Sequence, residues 1–419
     1  MIMAMMKNTG LLWIGQIPVD WELGKVKYAF NRKKEKSTEK DPIVLSLARA
    51  GVKIRDISTN EGQLAASYEG YNPVEPNDLL LNPMDLVSGA NCSISKVSGV
   101  ISPAYVNLRA KTGFEPRYYD YYFKTQYWNM GFFVHGKGVS FENRWTLNDA
   151  TLKDYYIPMP SLSEQQAIAD YLDETCSKID EIIAEAKTSI DEYKGLKQSV
   201  IFEAVTKGLD KNVEMKQCSV NWLDEIPSTW ESIRLKYLLT EINNRSETGT
   251  EQPLSVSQVM GVVPSYMIAV ANPTASYVGQ KIVEPNDIVF NKLKAHLGVF
   301  FMSKYHGLVS PDYAVYRTND KVIPKYLEYL FHTSACISEF KKYISGVAEG
   351  LMRLYTSNLF NIRICLPKVD EQIKIVEYVE NKVELFNPLI SEKESLINDL
   401  EAYKKSLIYE VVTGKRRVV

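Results

Sequence analysis

The stretch MPSLSEQQAI occupies residues 159–168, and the similar stretch LPKVDEQIKI occupies residues 366–375. In both, a proline precedes a Glu-Gln pair, and a long run follows in which apolar residues recur three and four positions apart. That spacing is typical of the buried seam of a coiled coil. The sequence therefore predicts that a long amphipathic helix begins at each stretch.

The apolar residues that follow define the seam of each predicted helix. The first helix, with Ser163 as its predicted N-cap and Lys197 as an interruption, has the seam Leu172, Cys176, Ile179, Ile183, Ala186, Ile190, Tyr193 and Val200. The second, interrupted at Lys393 and Lys404, has the seam Val379, Val383, Phe386, Ile390, Ile397, Leu400, Leu407 and Val411. Each covers about 43 residues, or roughly 60 Å of helix. Pro388 is expected to kink or break the second helix, because proline removes an internal hydrogen bond.

Two long helices with matching seams can be arranged in two ways. Each helix can lie on the globular part of the chain that precedes it, or the two helices can pack against each other. Equal length and equal period favour mutual antiparallel packing, because each seam then covers the other.

The similarity between the two halves extends over the whole chain. In order along the sequence, the matching pairs are WIGQIPVDW 13–21 with WLDEIPSTW 222–230, VEPNDLLLN 74–82 with VEPNDIVFN 283–291, ISPAYVNL 101–108 with VSPDYAVY 309–316, and SVIFEAVTKG 199–208 with SLIYEVVTG 406–414. The displacement drifts only from 209 to 207 residues. The chain is therefore two copies of one unit.

The part of each copy that precedes the long helix has a different residue pattern. Short β-prone runs such as DLLLN and YAVYR alternate with turn signals, and helical stretches such as RYYDYYFKTQYW lie between them. We therefore predict an α+β fold with two pseudo-symmetric copies of a globular domain, each followed by a long helix. The predicted boundaries are 1–160, 161–209, 210–367 and 368–419.

Composition limits the class of protein. Hydrophobic residues make up 45% and charged residues 24% of the chain, as in ordinary globular proteins. Its five cysteines form no CxxC pair, which disfavours a disulfide framework and a zinc cluster and favours a reducing compartment. Neither a signal-peptide core nor an apolar run long enough to span a membrane occurs. A soluble cytoplasmic protein is expected.

The net charge of −2 conceals an uneven distribution. Residues 1–157 hold 19 Lys and Arg against 16 Asp and Glu, whereas residues 163–208 hold 5 against 10. The first globular domain is thus mildly basic, and the acidic excess lies on a helix. The overall charge does not exclude a nucleic-acid partner.

A short motif opens and closes each predicted helix. It has the form P-x-x-x-E-Q at the start and E-x-V-T-x-G at the end, and the second copy lacks the residue between threonine and glycine. The residues are Pro160, Glu164, Gln165, Glu203, Val205, Thr206 and Gly208, and again Pro367, Glu371, Gln372, Glu410, Val412, Thr413 and Gly414. In these motifs and in its twofold repeat the chain resembles the specificity subunit of type I restriction-modification systems. The resemblance covers essentially the whole chain.

The resemblance implies a non-catalytic reader of double-stranded DNA. Each variable domain would be a target-recognition domain for one half of a bipartite, asymmetric site, and the helices would fix the spacing between the halves. The expected partners are two modification (methyltransferase) subunits and restriction or translocase subunits. S-adenosylmethionine, ATP and Mg²⁺ are expected on those partners, and no cofactor on this chain.

Other functions have weaker support in the sequence. No Walker loop is present, and NPMD at 82–85 lacks the second proline and the aromatic residue of a methyltransferase motif. A nuclease built on Asp287, Lys292 and Lys294 has no matching lysine in the first copy, and an aspartate after Pro-Asn is typical of a turn. His296 and His306 lack further metal ligands at fixed spacing. The main alternative is a coiled-coil adaptor whose variable domains bind protein.

Candidate DNA contacts are the basic and amide residues where the two copies diverge. Arginine and lysine suit guanine edges, and asparagine and glutamine suit adenine. The candidates are Arg32, Lys33, Lys34, Arg49, Lys53, Arg55, Lys137 and Arg144 in the first domain, and Asn243, Asn244, Arg245, Lys292, Lys294, His296 and Arg353 in the second. For any one of them the alternative is a solvated surface charge. Arg144 and Arg353 occupy matching positions, which suggests a shared phosphate contact or structural ion pair.

Overall fold

The computed structural model describes residues 5–58, 65, 67–87, 89–138, 145–220, 222–268, 276–345 and 353–418. The chain forms two compact units. One consists of Met1–Ala186 with Ser395–Val419, and the other of Lys187–Glu394. Each unit contains one α+β domain together with part of each of two long helices.

The α+β domain of the first unit is made of short elements. Its described strands are β1 (Met6–Asn8), β2 (Gln16–Pro18), β3 (Glu22–Lys25), β4 (Phe30–Arg32), β5 (Leu45–Ala48), β6 (Gly51–Ile54), β7 (Asn72–Val74), β8 (Leu79–Leu81), β9 (Cys92–Ile94), β10 (Gly99–Ile101), β11 (Val106–Ala110) and β12 (Tyr156–Met159). Its described helices are α1 (Val26–Ala29), α2 (Pro116–Trp128), α3 (Gly131–Val134) and α4 (Asp149–Lys153). The long helix α5 (Leu162–Lys207) follows.

The α+β domain of the second unit repeats this series. Its described strands are β13 (Met215–Gln217), β14 (Glu225–Pro227), β15 (Glu231–Arg234), β16 (Leu239–Ile242), β17 (Leu254–Ser257), β18 (Gly261–Pro264), β19 (Lys281–Val283), β20 (Ile288–Phe290), β21 (Phe300–Met302), β22 (Gly307–Val309), β23 (Ala314–Thr318) and β24 (Arg363–Leu366). The described helices are α6 (Pro324–Phe331), α7 (Ser334–Lys342), α8 (Thr356–Leu359) and the long α9 (Val369–Val412). Single 3₁₀ turns lie at Leu235–Tyr237, Ser265–Met267 and Ala295–Leu297.

Both domains have the same sheet topology, and the strand pairs named here are all antiparallel. The central sheet has the order β4-β11-β8-β9 in the first and β16-β23-β20-β21 in the second. Two-stranded pairs surround it: β1-β2, β3-β12, β5-β6 and β7-β10 in the first, and β13-β14, β15-β24, β17-β18 and β19-β22 in the second. The sequence repeat is therefore a structural repeat.

The repeated run of apolar residues in β8 explains how each domain builds two apolar clusters. Leu79 and Leu81 belong to the larger cluster, which includes α2, and Leu80 belongs to a smaller one with Leu45 and Leu47 of β5. Successive side chains of a strand point to opposite faces, so three consecutive apolar residues are expected when both faces are buried. In the second domain the side chains of β20 are likewise divided between a larger and a smaller apolar cluster.

The phrase VEPND forms a tight turn in both copies. The amide of Asp78 donates to the carbonyl of Glu75 at 3.1 Å, and Asn77 has a φ of 70°. Asp287 and Glu284 repeat the bond at 3.1 Å, with Asn286 at a φ of 73°. A proline followed by a residue of positive φ defines a type II turn, and asparagine tolerates that conformation. The predicted turn role of this phrase is confirmed.

The predicted seam of the first long helix lies on the buried face of α5. Six of its residues are buried, namely Leu172, Cys176, Ile179, Ile183, Ala186 and Ile190, and Tyr193 and Val200 are partly buried. The N-cap prediction was wrong by two residues. The hydroxyl of Ser161, not of Ser163, accepts from the amide of Glu164 at 3.3 Å. Ser161 with Glu164 has the spacing of a capping box, so the helix begins at Leu162.

Within each unit, α5 and α9 run antiparallel. In the first unit Lys404 donates to Asp180 at 2.6 Å, and in the second Lys197 donates to Asn387 at 2.8 Å and Lys194 lies 3.8 Å from Glu394. As residue numbers rise along α5, those of the partners on α9 fall. Two lysines that interrupt the seams therefore bind polar groups on the opposing helix.

Of the kink or break predicted at Pro388, the break does not occur, because α9 continues through this residue. Proline removes one hydrogen bond, and contacts with α5 on either side, at Asn387 and Glu394, hold the helix in place. The predicted fold class, two α+β domains with an antiparallel pair of long helices, is confirmed.

Candidate nucleic-acid interface

The motif at the start of each long helix joins that helix to the α+β domain before it. The buried side chain of Gln165 donates to the carbonyl of Pro160 at 2.8 Å and accepts from the amide of Glu115 at 2.9 Å. Glu164 accepts from the indole nitrogen of Trp21 at 2.9 Å. These bonds satisfy polar groups that would otherwise be buried without partners, so the pair acts as a structural joint.

The second copy builds the same joint with one bond more. Gln372 donates to the carbonyls of Pro367 and Lys321, both at 2.9 Å, and accepts from the amide of Ile323 at 2.8 Å. Glu371 accepts from the indole of Trp230 at 3.1 Å. The Glu-Gln pair is therefore explained by packing in both copies.

The motif at the end of each long helix docks on the domain of the other copy. In the first unit the hydroxyl of Tyr118 donates to the carbonyl of Val412 at 2.8 Å. In the second unit Tyr326 donates to Val205 at 2.9 Å. Carbonyls in the last turn of a helix have no partner within the helix, and the tyrosine hydroxyls supply one here. Each compact unit thus combines the start of one long helix with the end of the other.

The aspartates of the VEPND turn are held by basic side chains. Asp78 is fully buried and contacts Arg109 and, at 3.4 Å, Lys33. Asp287 accepts from Arg317 at 2.8 and 2.9 Å. Hydrogen bonds to these carboxylates raise the pKa of both arginines. Both oxygens of Asp287 are occupied by Arg317, so the residue lies in a structural ion pair, which does not favour the nuclease interpretation.

Three candidates in the first domain also lie in ion pairs. Arg32 is 2.7 Å and Lys34 is 3.4 Å from Asp149, and the side chain of Lys33, only 14% exposed, lies against Asp78. Burial disfavours the charged form of Asp149, but the hydrogen bonds from Arg32 and Lys153 outweigh it and lower the pKa of Asp149 to about 2. These cations are at least partly engaged by the protein's own carboxylates.

Three of the remaining candidates of the first domain are exposed. Arg49 lies in the turn between β5 and β6, and Lys53 lies on β6; both are exposed. Arg55 is partly buried, and Lys137 is exposed next to its bridge partner Thr146. Arg144 lies outside the described residues.

In the second domain the candidates fall into two groups. Asn243, Asn244 and Arg245 are exposed after β16, and Arg245 donates to the carbonyl of Gly279 at 2.7 Å. The other group lies in or beside the loop after β20, where the amide of Leu354 donates to the carbonyl of Lys292 at 3.1 Å and so places Arg353 beside that loop. This group comprises Lys292, Lys294, His296 and Arg353.

His296 and His306 are the two histidines considered as metal ligands. Nδ1 of His296 is buried and has no hydrogen-bond partner among the described residues, whereas Nδ1 of His306 lies 2.9 Å from Glu284. In the described part of the chain, no group of three or more His, Cys, Asp or Glu side chains is placed to hold a metal ion. None of the described helices is long and apolar enough to cross a membrane.

Sequence reasoning missed Lys281 and Gln258. Lys281 is almost completely buried and donates to the carbonyl of Tyr313 at 2.8 Å. Its burial and the nearby charges of Lys292 and Arg245 lower its pKa. Lys281 thus lies near two candidates, and Glu241 is 3.9 Å from its ammonium group. Gln258 occupies the position that matches Arg49 at the repeat displacement of 209, and this displacement was the signal that could have found it.

The chain was compared with protein families. The family described as the type I restriction modification DNA specificity domain matches residues 93–192 and 227–399. The two matched segments fall one in each copy of the repeat. Together they cover well over half of the chain.

Similar sequences include three specificity subunits. The MjaVIII subunit of Methanocaldococcus jannaschii is 23% identical over 91% of this chain and 90% of its own length. The MjaX subunit of the same organism is 23% identical over 61% of this chain, and the EcoKI subunit of Escherichia coli K12 is 24% identical over 54%. The matches span 58% and 50% of those two relatives.

Solved structures share the fold over nearly the full length. A chain from a structure described as the basis of complex assembly and conformational transition of the type I R-M system has a TM-score of 0.68 and 14% identity, with 94% of this chain and 98% of that chain covered. The HsdS subunit of Thermoanaerobacter tengcongensis has a TM-score of 0.51 and 15% identity, with 96% and 98% covered.

Proposed function

We propose, since the chain belongs to the type I restriction modification DNA specificity domain family, that it is the DNA-reading subunit of a type I restriction-modification complex. Each α+β domain reads one half of a bipartite, asymmetric DNA site. Neither methyl transfer nor DNA cleavage is performed by this chain. Those reactions, with S-adenosylmethionine, ATP and Mg²⁺, belong to two methyltransferase subunits and to restriction subunits.

One observation carries this proposal: the two domains share a framework and differ on their exposed loops. Their central sheets have the same strand order, and equivalent Gln and Trp residues join them to the long helices. The exposed polar residues differ, for example Arg49 in one domain and Gln258 in the other. A pair of domains of this kind suits a DNA site whose two halves differ in sequence.

The long helices are proposed to set the gap between the half-sites and to dock the partner subunits. α5 is one uninterrupted helix of 46 residues, or roughly 70 Å at 1.5 Å per residue. The length of the helix pair would then fix the number of unread base pairs.

The first experiment determines the methylated motif. The chain is produced with the methyltransferase subunits of its own system, and methylated bases are mapped by sequencing the DNA. We expect one motif with two defined halves and a constant gap. Gel-shift competition that does not distinguish this motif from scrambled DNA, together with the absence of any motif, would favour the protein-binding adaptor.

A domain exchange tests whether the halves are read independently. Residues 10–157 are replaced by those of a relative that keeps Trp21 and Tyr118, because these contact Glu164 and Val412. We expect one half-site to change and the other to stay. A change in both half-sites would contradict independent reading.

A heptad insertion tests the role of the helices as a ruler. An insertion after Thr206 would disturb a joint, since Val205 and Thr206 are buried and Tyr326 binds Val205. Seven residues are therefore added to the middle of both α5 and α9, which preserves the seams. The helices lengthen by roughly 10 Å, or about three base pairs at 3.4 Å each. An unchanged gap in an active complex would disprove the ruler.

A further inference from the structure

Two equivalent hairpins, β5–β6 and β17–β18, end in turns of different length and chemistry. In the first, Ala48 pairs with Gly51, which leaves the two turn residues Arg49 and Ala50. In the second, Ser257 pairs with Gly261, which leaves Gln258, Val259 and Met260. Arg49 and Gln258 each occupy the first position of the turn, at the repeat displacement of 209. The two hairpins are therefore equivalent in the repeat, but the first side chain of the turn differs between them.

In both domains this first side chain lies against a loop of the central sheet. The loop follows β8 in the first domain and β20 in the second. A Cβ atom at Gly89 would lie 3.6 Å from Nε of Arg49, so the arginine passes over this glycine. In the second domain Gln258 donates to the carbonyl of Leu297 at 3.3 Å, next to Gly298, which matches Gly89 in the repeat. The two side chains therefore hold corresponding places in three dimensions as well as in sequence.

Among the described residues, Arg49 has no carboxylate partner, in contrast to several other arginines of its unit. Arg32, Arg109, Arg117 and Arg417 each form at least one ion pair with an Asp or Glu. Within the described residues, no ion pair or hydrogen bond occupies the guanidinium of Arg49, and the residue is exposed. A charge that no internal carboxylate neutralises is available for an external acceptor.

The tip of the second hairpin exposes apolar side chains beside Gln258. Val259 is 92% and Met260 is 51% exposed. Basic residues lie near this tip, because Leu297, which binds Gln258, closes the turn that follows Lys294 and contains His296. The major groove admits a two-stranded β-ribbon, and its base edges offer hydrogen-bonding groups together with the methyl group of thymine. An amide flanked by apolar side chains and nearby cations fits such a surface.

We propose that Arg49 and Gln258 are the equivalent base-reading positions of the two domains. Arg49 presents its guanidinium to the O6 and N7 atoms of a guanine, and Gln258 presents its amide to the N6 and N7 atoms of an adenine. The hairpins carry these side chains into the major groove of the two half-sites. This assignment rests on the proposed DNA-reading function and deepens it by naming one specificity position in each domain.

The test exchanges the two side chains one at a time. Arg49→Gln and Gln258→Arg are each produced with the methyltransferase subunits, and the methylated motif is mapped. We expect Arg49→Gln to alter one guanine position of the first half-site only, and Gln258→Arg one adenine position of the second only. Binding to the original site should weaken by roughly 5- to 150-fold, the range for loss of one bidentate base contact. The untouched half-site is the internal control of each variant.

A second control separates base reading from a general electrostatic effect. Lys40→Gln removes an exposed positive charge from the same domain and should leave the motif unchanged. If Arg49→Gln weakens all sequences equally and lowers the salt dependence without changing the motif, Arg49 contacts phosphate and the proposal is overturned. An unchanged motif with unchanged affinity overturns it too. The proposed function itself would fail instead if the unsubstituted complex showed no bipartite motif.

Discussion

The two α+β domains bind the end of a long helix in the same way, but they enclose its terminal glycine to different degrees. Gly414 and Gly208 follow α9 and α5 with φ angles of 69° and 76°. A Cβ atom at Gly414 would lie 2.5 Å from Cδ of Pro18, a rigid ring. At Gly208 the nearest atom would be Oε1 of Glu371 at 3.0 Å, the end of a side chain. One motif can thus serve two joints of unequal tightness.

The largest expected effect comes from substituting these glycines. Gly414→Ala should cost roughly 1–2 kcal/mol for the left-handed conformation and about 1–3 kcal/mol more for overpacking against Pro18. Gly208→Ala should cost only about 1–2 kcal/mol, because the Glu371 side chain can move. Thermal unfolding of the full chain measures both. Equal losses would show that the two joints are equally tight.

The second prediction compares the buried glutamines of the two helix starts. Gln372 makes three hydrogen bonds and Gln165 makes two, and both are buried. Replacement by alanine leaves buried backbone groups unpaired, at about 1–3 kcal/mol. We expect Gln372→Ala to lower the free energy of unfolding more than Gln165→Ala. Gln198→Ala, exposed on α5, is the control and should change stability by less than about 0.5 kcal/mol. The reverse order would contradict the hydrogen-bond count.

A third prediction concerns stability at acid pH, which should depend on an aspartate in the first domain that the second domain lacks. Asp149, with a pKa of about 2 against an ordinary 3.8, matches Thr356 in the second domain. Because its folded-state pKa is depressed, the stability from Asp149 is present above about pH 4 and is lost as the pH falls toward 2. Asp149→Asn should remove about 1–2 kcal/mol at neutral pH, with screening allowed for, and flatten this acid dependence. Chemical unfolding at pH 6 and pH 3 measures the difference, and an unchanged pH slope would contradict it.

The smallest effect is expected at the C-terminal tail, which forms ion pairs with the first domain. Arg417 binds Asp20 and lies 3.4 Å from Glu164. The hydrogen bond from Arg417 lowers the pKa of Asp20. Arg417→Ala should cost less than about 1 kcal/mol, and the loss should shrink at high salt because exposed ion pairs are screened. A loss that persists in 1 M salt, roughly a 3 Å screening length, would indicate packing instead of charge.

Periodicity and turn chemistry predict much of the fold of this protein from its sequence alone. The alternation of Leu172, Cys176 and Ile179 predicted the buried face of α5, because helical side chains three and four apart share a face. Pro-Asn before Asp78 predicted a turn, because each residue restricts its own backbone. The repeat predicted two equivalent domains, since similar sequences fold alike. All of these are local properties or comparisons along the chain.

The tertiary structure decided which distant residues meet. The sequence marks Lys33 and Arg49 as equal candidates, yet Lys33 lies against buried Asp78 while Arg49 remains exposed. Nor does the sequence show that the helix end at Val205 docks on Tyr326 of the other copy. Antiparallel pairing of the two long helices brings each helix end to the opposite domain, and only the folded chain fixes that arrangement. Packing in the folded chain decides which residues far apart in sequence contact each other. No local sequence pattern encodes these contacts.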